Sequence, residues 1–466
     1  MTSAPDNASL PVDALRGHVD ADFNTILADL KDLVAIPGIA WEAFDPEQLD
    51  RSAAAVAELI RDAGIEDVRI LRVDKADGTP GGPAVVARKP AAEGKPTVLL
   101  YAHHDVQPPG DLDLWTFEPF NAVEHEGRLW GRGAADDKAG ILAHVGAFRA
   151  LHKVLGEDLG LGITLFIEGE EEAGSPTFRT FLETHRELLR ADVMVVADSG
   201  NWKVGVPALT TSLRGLVDGT IEVKVLEHAV HSGMFGGPVL DAPTLLARLI
   251  ATLHDDDGAV AIEGLVAEDH AAVDMPEEQF RADSSVLAGV QLAGTGSIAS
   301  RLWTKPALSI IGIDVPAVSV AANSMQPSAR AKFSLRLAPG SDPGEAMEAV
   351  RRHVESHAPF GAQVVFTPGE TGSAFATDTA SSAARSALWA LREAWGVEPV
   401  ESGIGGSIPF IADLTELYPQ AQILITGVED PDSRAHSANE SLHLGDFRNA
   451  VLAEALLLAR INASGL

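Results

Sequence analysis

Residues 97–108, TVLLYAHHDVQP, run apolar from Thr97 to Ala102 and then deliver His103, His104 and Asp105. A run of this kind predicts a strand. Residues 163–176, ITLFIEGEEEAGSP, repeat the design, with Ile163 to Ile167 preceding Glu170, Glu171 and Glu172. Residues 191–200, ADVMVVADSG, repeat it again, with Asp198 at the end. The segments Ile141 to Leu151 and Phe178 to Leu189 read as helices between them, and Ser175 and Pro176 as the N-cap and first residue of the second. Strands alternating with helices predict an α/β sheet that binds its ligand outside the carboxyl ends of the strands.

The same rhythm extends outward. Phe23, Ile26, Leu27, Leu30 and Leu33 recur at helical spacing, predicting a helix from near Asp20 that stops at Pro37 and Gly38. A second helix is expected from Ser52 to Ala63. From Gly219 the order changes: strand to Leu226, helix Pro243 to His254, strands Leu308 to Ile313 and Ala331 to Leu337, helix Glu345 to His357, strand Gln363 to Thr367. That is β-α-β-β-α-β, a split βαβ, ferredoxin-like unit, interrupted from Asp255 to Pro306 by an insertion containing AGTGSIAS. Helices at Ala387 to Trp395 and Phe447 to Ile461, and a strand at Gln422 to Thr426, then resume the first pattern. The expected organisation is an α/β domain in two segments, 1–210 and 373–466, with a smaller α+β domain, 211–372, inserted between them.

Composition narrows the chemistry. The 466 residues carry a formal charge of −32, which opposes binding to nucleic acid or anionic lipid. There is no cysteine, so a metal would have to be held by histidine and carboxylate. The N-terminal stretch has no basic flank or apolar core of a signal peptide, and no apolar run is long enough to span a bilayer, so a cytoplasmic protein is expected.

Along a strand, His103 and Asp105 face one way and His104 the other. Such a pair suits a metal-bound histidine oriented by a neighbouring carboxylate, and equally a structural role. Asp136 and Asp137, in LWGRGAADDKAG (129–140), fall where a helix begins and also fit ordinary helix capping. The three glutamates after Ile167 repel one another unless a cation or proton compensates them. With Asp198 and with His436 of DSRAHSANE (432–440), four strand ends or loops offer two histidines and several carboxylates. That set suits two divalent ions, with one carboxylate left over as a base.

The ordered set YAHHDVQP (101–108), GRGAADDKAG (131–140), EGEEEAGS (168–175), VVADS (195–199), HSGMFGG (231–237), KFSLR (332–336), GGSIP (405–409) and AHSANE (435–440) resembles the M20 metallopeptidases, in particular the carnosinase-like cytosolic dipeptidases. The resemblance implies a phosphorylase/hydrolase-like catalytic domain with an inserted ferredoxin-like lid and dimerisation domain. It implies two divalent ions per subunit, Zn2+ first, with Mn2+ or Co2+ as alternatives. His103 and Asp198 would hold one ion, Glu172 and His436 the other, and Asp136 would bridge, followed by a cis peptide to Asp137. The implied reaction is dipeptide hydrolysis by a water held between the ions, with Glu171 as general base and Asp105 orienting His103. His231 would stabilise the oxyanion from the other subunit of a homodimer, while Asn323, Arg336, Ser407 and Gly406 would contact the substrate. An N-acyl amino-acid amidohydrolase would use the same ions and carboxylate grip; an inactive binding protein is disfavoured because every ligand and the base are present.

Overall fold

The computed structural model describes residues 10–406 and 409–466. The chain divides into two compact units: Met1–Thr211 with Thr377–Ser402 and Asp413–Leu466, and Ser212–Ala376 with Gly403–Ala412. The short segment Gly403–Ala412 thus groups with the second unit, whereas the domain limits expected from sequence place it in the first.

In the first unit, neighbouring strands run in the order Asp67–Leu71, Ala84–Lys89, Gly162–Glu168, Thr97–His103, Val193–Val196, Gln422–Ile425 and Ala208–Leu213. The middle four are mutually parallel, with His103 opposite Glu168, Tyr101 opposite Val196 and Ile425 opposite Val196. Their carboxyl ends therefore share one edge. Strand Gly162–Glu168 is buried throughout and Thr97–His103 beyond its first residue, as their unbroken apolar runs require. Helices Val12–Val34, Lys138–Leu155, Ser382–Trp395 and Leu444–Ser464 bury one face against one another and the sheet in a single apolar core.

Several boundaries differ from expectation. The first helix starts at Val12 rather than near Asp20, because Leu15 and Val19 continue its buried stripe. Helix Phe178–Thr184 ends before Leu189, and Thr177 rather than Ser175 precedes it. The cause is Glu170, whose carboxylate takes the Thr177 N–H (3.0 Å) and hydroxyl and delays the start of the helix. Asp136 and Asp137 lie before helix Lys138–Leu155 rather than within its first turn.

The second unit has a four-stranded antiparallel sheet in the order Ala307–Asp314, Ser328–Leu337, Gly215–Lys224, Gln363–Gly372. Helices Ala242–Ala251 and Pro343–Ser356 pack on it. Strand Ser328–Leu337 alternates strictly, burying Ala329, Ala331, Phe333, Leu335 and Leu337 in the unit's own core. Arg336 therefore belongs to the opposite face. No helix among the described residues is long and apolar enough to cross a membrane.

The central strand is the test of this packing. Leu100 is fully buried within it, whereas Ile70 on the outermost strand is 44% exposed. Leu100→Ala is expected to cost about 2–5 kcal/mol in equilibrium urea unfolding, against less than about 0.5 kcal/mol for Ile70→Ala. Equal costs would contradict the assigned layering.

Candidate metal centre

Asp105, just past the strand Thr97–His103, is fully buried, and its two oxygens are shared among three partners. Oδ1 accepts the Glu171 N–H and Oδ2 the Glu172 N–H, both at 3.1 Å. Oδ1 also lies 3.4 Å from His103 Nδ1, which is 3.1 Å from the Asp105 carbonyl oxygen. With two acceptors facing Nδ1, the neutral ring carries its proton there and turns the Nε2 lone pair toward the site. One carboxylate thus orients a histidine and the glutamate loop of the adjacent strand.

The three glutamates separate by role. Glu170 turns away to accept N–H groups from Gly82 (2.7 Å) and Thr177. Glu172 is held by Gln107, whose backbone N–H (3.1 Å) and side-chain amide (2.6 Å) donate to its two oxygens. Glu171 is left facing His103, Asp198, Asp105 and Glu168.

Asp136 precedes a cis peptide to Asp137. Its oxygens diverge: Oδ1 is 3.1 Å from His103 Nε2, and Oδ2 is 3.0 Å from His436 Nε2. His436 Nε2 lies 3.2 Å from Glu172 Oε2. Asp137 turns back to accept the His103 N–H at 3.2 Å. Gly140 permits this, since a Cβ there would sit 2.2 Å from Asp137 Oδ1. Gly427 plays the same part near Asp198, where a Cβ would fall 1.5 Å from the Ser199 oxygen.

The result is two clusters of ligand-type side chains, His103 with Glu171 and Asp198, and Asp136 with Glu172 and His436. Within each, one donor atom per residue lies within 4.8 Å of the others. Asp136 faces a histidine of each cluster. Glu171 stands beside His103 and Asp198, a position from which a carboxylate can either bind a cation or take a proton from a neighbouring water.

Electrostatics test whether cations fit. Burial, reinforced by Asp198, Asp105 and Glu168, pushes Glu171 up to about 9 despite His103. Burial, with Asp136 and Glu172, pushes Asp198 up to about 6. Asp137 and Glu429 are raised well above the usual carboxylate range by burial and by Asp136 and Asp198. His436 is pushed up to about 11 by its hydrogen bonds to Asp136 and Glu172. Burial opposes charge on His103, but Asp105 and Asp136 outweigh it and raise this ring well above its ordinary range. Protons are thus being recruited to balance excess carboxylate, which divalent cations would balance in their place. Imidazole nitrogen and carboxylate oxygen without sulfur are also the donors such ions take.

In the second unit, His231 pairs with Ser324 on a short ribbon, and the Ser232 N–H donates to the Asn323 carbonyl at 3.1 Å. These two expected residues are brought together. Arg336 influences Arg214, which burial first and Arg336 second push down to about 10. Arg214 Nε donates to the Gly405 oxygen at 2.9 Å, next to Gly406. Ser407 lies outside the described residues. Sequence reasoning missed Gln107, Glu429 and Arg214. Only Gln107 left a signal, continuing the alternation of His103 and Asp105.

The family model described as Peptidase family M20/M25/M40 matches residues 99–460. The chain is 35% identical over 421 residues to the cysteinylglycine-S-conjugate dipeptidase of Corynebacterium striatum, covering 89% of this chain and 91% of that one. It is 28% identical to the Beta-Ala-His dipeptidase of Rattus norvegicus, covering 96% and 94%. The crystal structure of human carnosine dipeptidase 1 superimposes with a TM-score of 0.73 at 26% identity, covering 97% of this chain and 99% of that one. With a family match over most of its length and a relative this similar across both chains, the protein belongs to peptidase family M20.

Proposed function

We propose that this protein is a dinuclear metallopeptidase that hydrolyses dipeptides. The observation that carries the reading is the divergence of Asp136, one oxygen toward His103 and the other toward His436, between two clusters of nitrogen and oxygen donors. His103 and Asp198 would hold one ion, Glu172 and His436 the second, with Asp136 shared. The donor set suits zinc best and also accepts manganese or cobalt. The dipeptide substrate class is supported by the relatives named for cysteinylglycine conjugates and for Beta-Ala-His.

When bound, such ions supply Lewis acidity to a water and to the scissile carbonyl. Glu171 accepts the proton of the attacking water and returns it to the leaving amine. Its raised pKa without cations suits this role, because neighbouring positive charge draws it down toward the working pH. Asp105 holds His103 and the Glu171 backbone together, keeping base and ligand in register.

The second unit supplies recognition in this reading. His231 Nδ1 accepts the Gly233 N–H at 3.1 Å, which commits the neutral ring to an Nε2–H donor. That donor suits an oxyanion, and we assign it to the site of a partner subunit in a homodimer formed through the second unit. Asn323, Gly406 and the adjoining Ser407 would contact the substrate backbone, and Arg336 would bind the terminal carboxylate through its planar fork.

Glu171→Gln is expected to lower kcat for Ala-Leu or Beta-Ala-His about 10²–10⁴-fold while metal content stays unchanged. Full activity would reject the base, and wild-type hydrolysis of N-acetyl amino acids alone would favour the amidohydrolase reading.

Metal binding must displace protons from His436, held near 11 without cations. The apparent zinc association constant should therefore rise between pH 6 and pH 8, roughly tenfold per pH unit for each proton released. A pH-independent constant from calorimetric titration would contradict the ligand assignment.

Mixing inactive Glu171→Ala and His231→Ala chains should restore part of the activity through hybrid sites. No recovery after confirmed subunit exchange would place His231 outside a partner's site.

A further inference from the structure

Glu440 lies four residues beyond His436 and is fully buried. Its Oε1 accepts the N–H groups of Ala135 (2.9 Å) and Asp136 (3.1 Å). Its Oε2 accepts the Gly133 N–H (3.0 Å) and Arg132 Nη1 (2.6 Å). Arg132 Nη2 donates in turn to the Ser437 carbonyl at 3.2 Å, and the Gly131 N–H donates to the Glu440 carbonyl at 3.0 Å. The two segments leave a shared antiparallel pair, with Ser441 opposite Trp130. They close on this one carboxylate just before each presents a ligand-type side chain to the other, Asp136 and His436 at 3.0 Å. Asn439 pins the outer side of the same loop, accepting the Thr116 N–H and donating to the Leu114 carbonyl.

We propose that Glu440 is a positioning residue that couples the two metal-ligand clusters, by fixing the backbone of Asp136 against the loop that carries His436. Asp136 faces both clusters, so a shift of its backbone alters both at once. Glu440 itself touches neither cluster's donor side chains through any of these bonds and reaches the metals only through Asp136 and His436. The inference rests on the dinuclear reading. A glutamine of the same shape turns one oxygen into an NH2, which then faces either two backbone N–H groups or one N–H and a guanidinium. Removing an orienting partner of this kind costs about 10–100-fold in metal affinity.

The test measures Co2+ binding by chelator competition and the visible absorption of the cobalt-loaded protein, for wild type, Glu440→Gln and Glu454→Gln. Glu454 is a buried carboxylate paired with His144 in the same unit and serves as the structural control. The expected result is a loss of about 10–100-fold at both sites and an altered cobalt spectrum in Glu440→Gln, while Glu454→Gln loses melting temperature only. Unchanged affinity and spectrum in folded Glu440→Gln, or weakening at only one site, would overturn the coupling. If Glu440→Gln does not fold, Arg132→Met removes one of the four donors to Glu440 and should weaken both sites in parallel; unchanged binding there would equally overturn it. Failure of wild type to bind two equivalents would instead defeat the dinuclear reading itself.

Discussion

The structure turns on a surplus of carboxylate at one sheet edge. Asp136, Glu171, Glu172 and Asp198 converge there with two imidazoles, and Glu429 feels their field, its own ionisation opposed by burial and by Asp136 and Asp198. Burying so many like charges is unfavourable unless positive charge is drawn in. Without cations that demand raises Glu171, Asp198 and both histidines above their ordinary ranges; with cations it would become affinity. The cluster is therefore suited to divalent ions, and the fold around it keeps the carboxylates from escaping one another.

Two devices prevent that escape. Parallel pairing brings the ends of strands Thr97–His103, Gly162–Glu168, Val193–Val196 and Gln422–Ile425 to a common edge. Buried carboxylates then staple the loops that follow: Asp105 to the Glu171 and Glu172 backbone, Glu170 to Gly82 and Thr177, Glu440 to the loop of Asp136. Each stapling acid accepts N–H groups, which commits its oxygens to the protein and keeps them from a cation. The same residue type thus holds the site and forms it, and only the hydrogen-bond partners tell the two uses apart.

That distinction limits what could be read from sequence. The strands were legible because their apolar runs match burial on both faces, and the clustered ligands because every candidate followed a strand or opened a helix. Alternation puts Asp105 on the His103 side of the strand and the family resemblance gives it the orienting role, but its hold on the glutamate loop is not visible in sequence, since that loop lies more than sixty residues away. Glu170, Glu171 and Glu172 carry no local pattern that tells them apart; the family resemblance alone gave the last two their roles, and the physical separation appears only once Gly82 and Thr177 claim the first and Gln107 the third. Glu440 is joined to partners about three hundred residues distant, with no local pattern to betray it. The start of the first helix was missed because Asp13, Arg16 and His18 dilute the stripe that Leu15 and Val19 continue.

The two units divide the chemistry unequally. In the proposed reading the first would hold the metal-ligating acids and histidines and the proton acceptor, and the second would offer His231, Asn323 and Arg336 to the substrate. Anomalous diffraction from crystals soaked with zinc, collected at the zinc edge, tests the dinuclear centre of the first unit most directly. Two peaks are expected, one bounded by His103, Asp198 and Asp136, the other by Asp136, Glu172 and His436; a single peak, or peaks away from Asp136, would contradict a centre shared through Asp136.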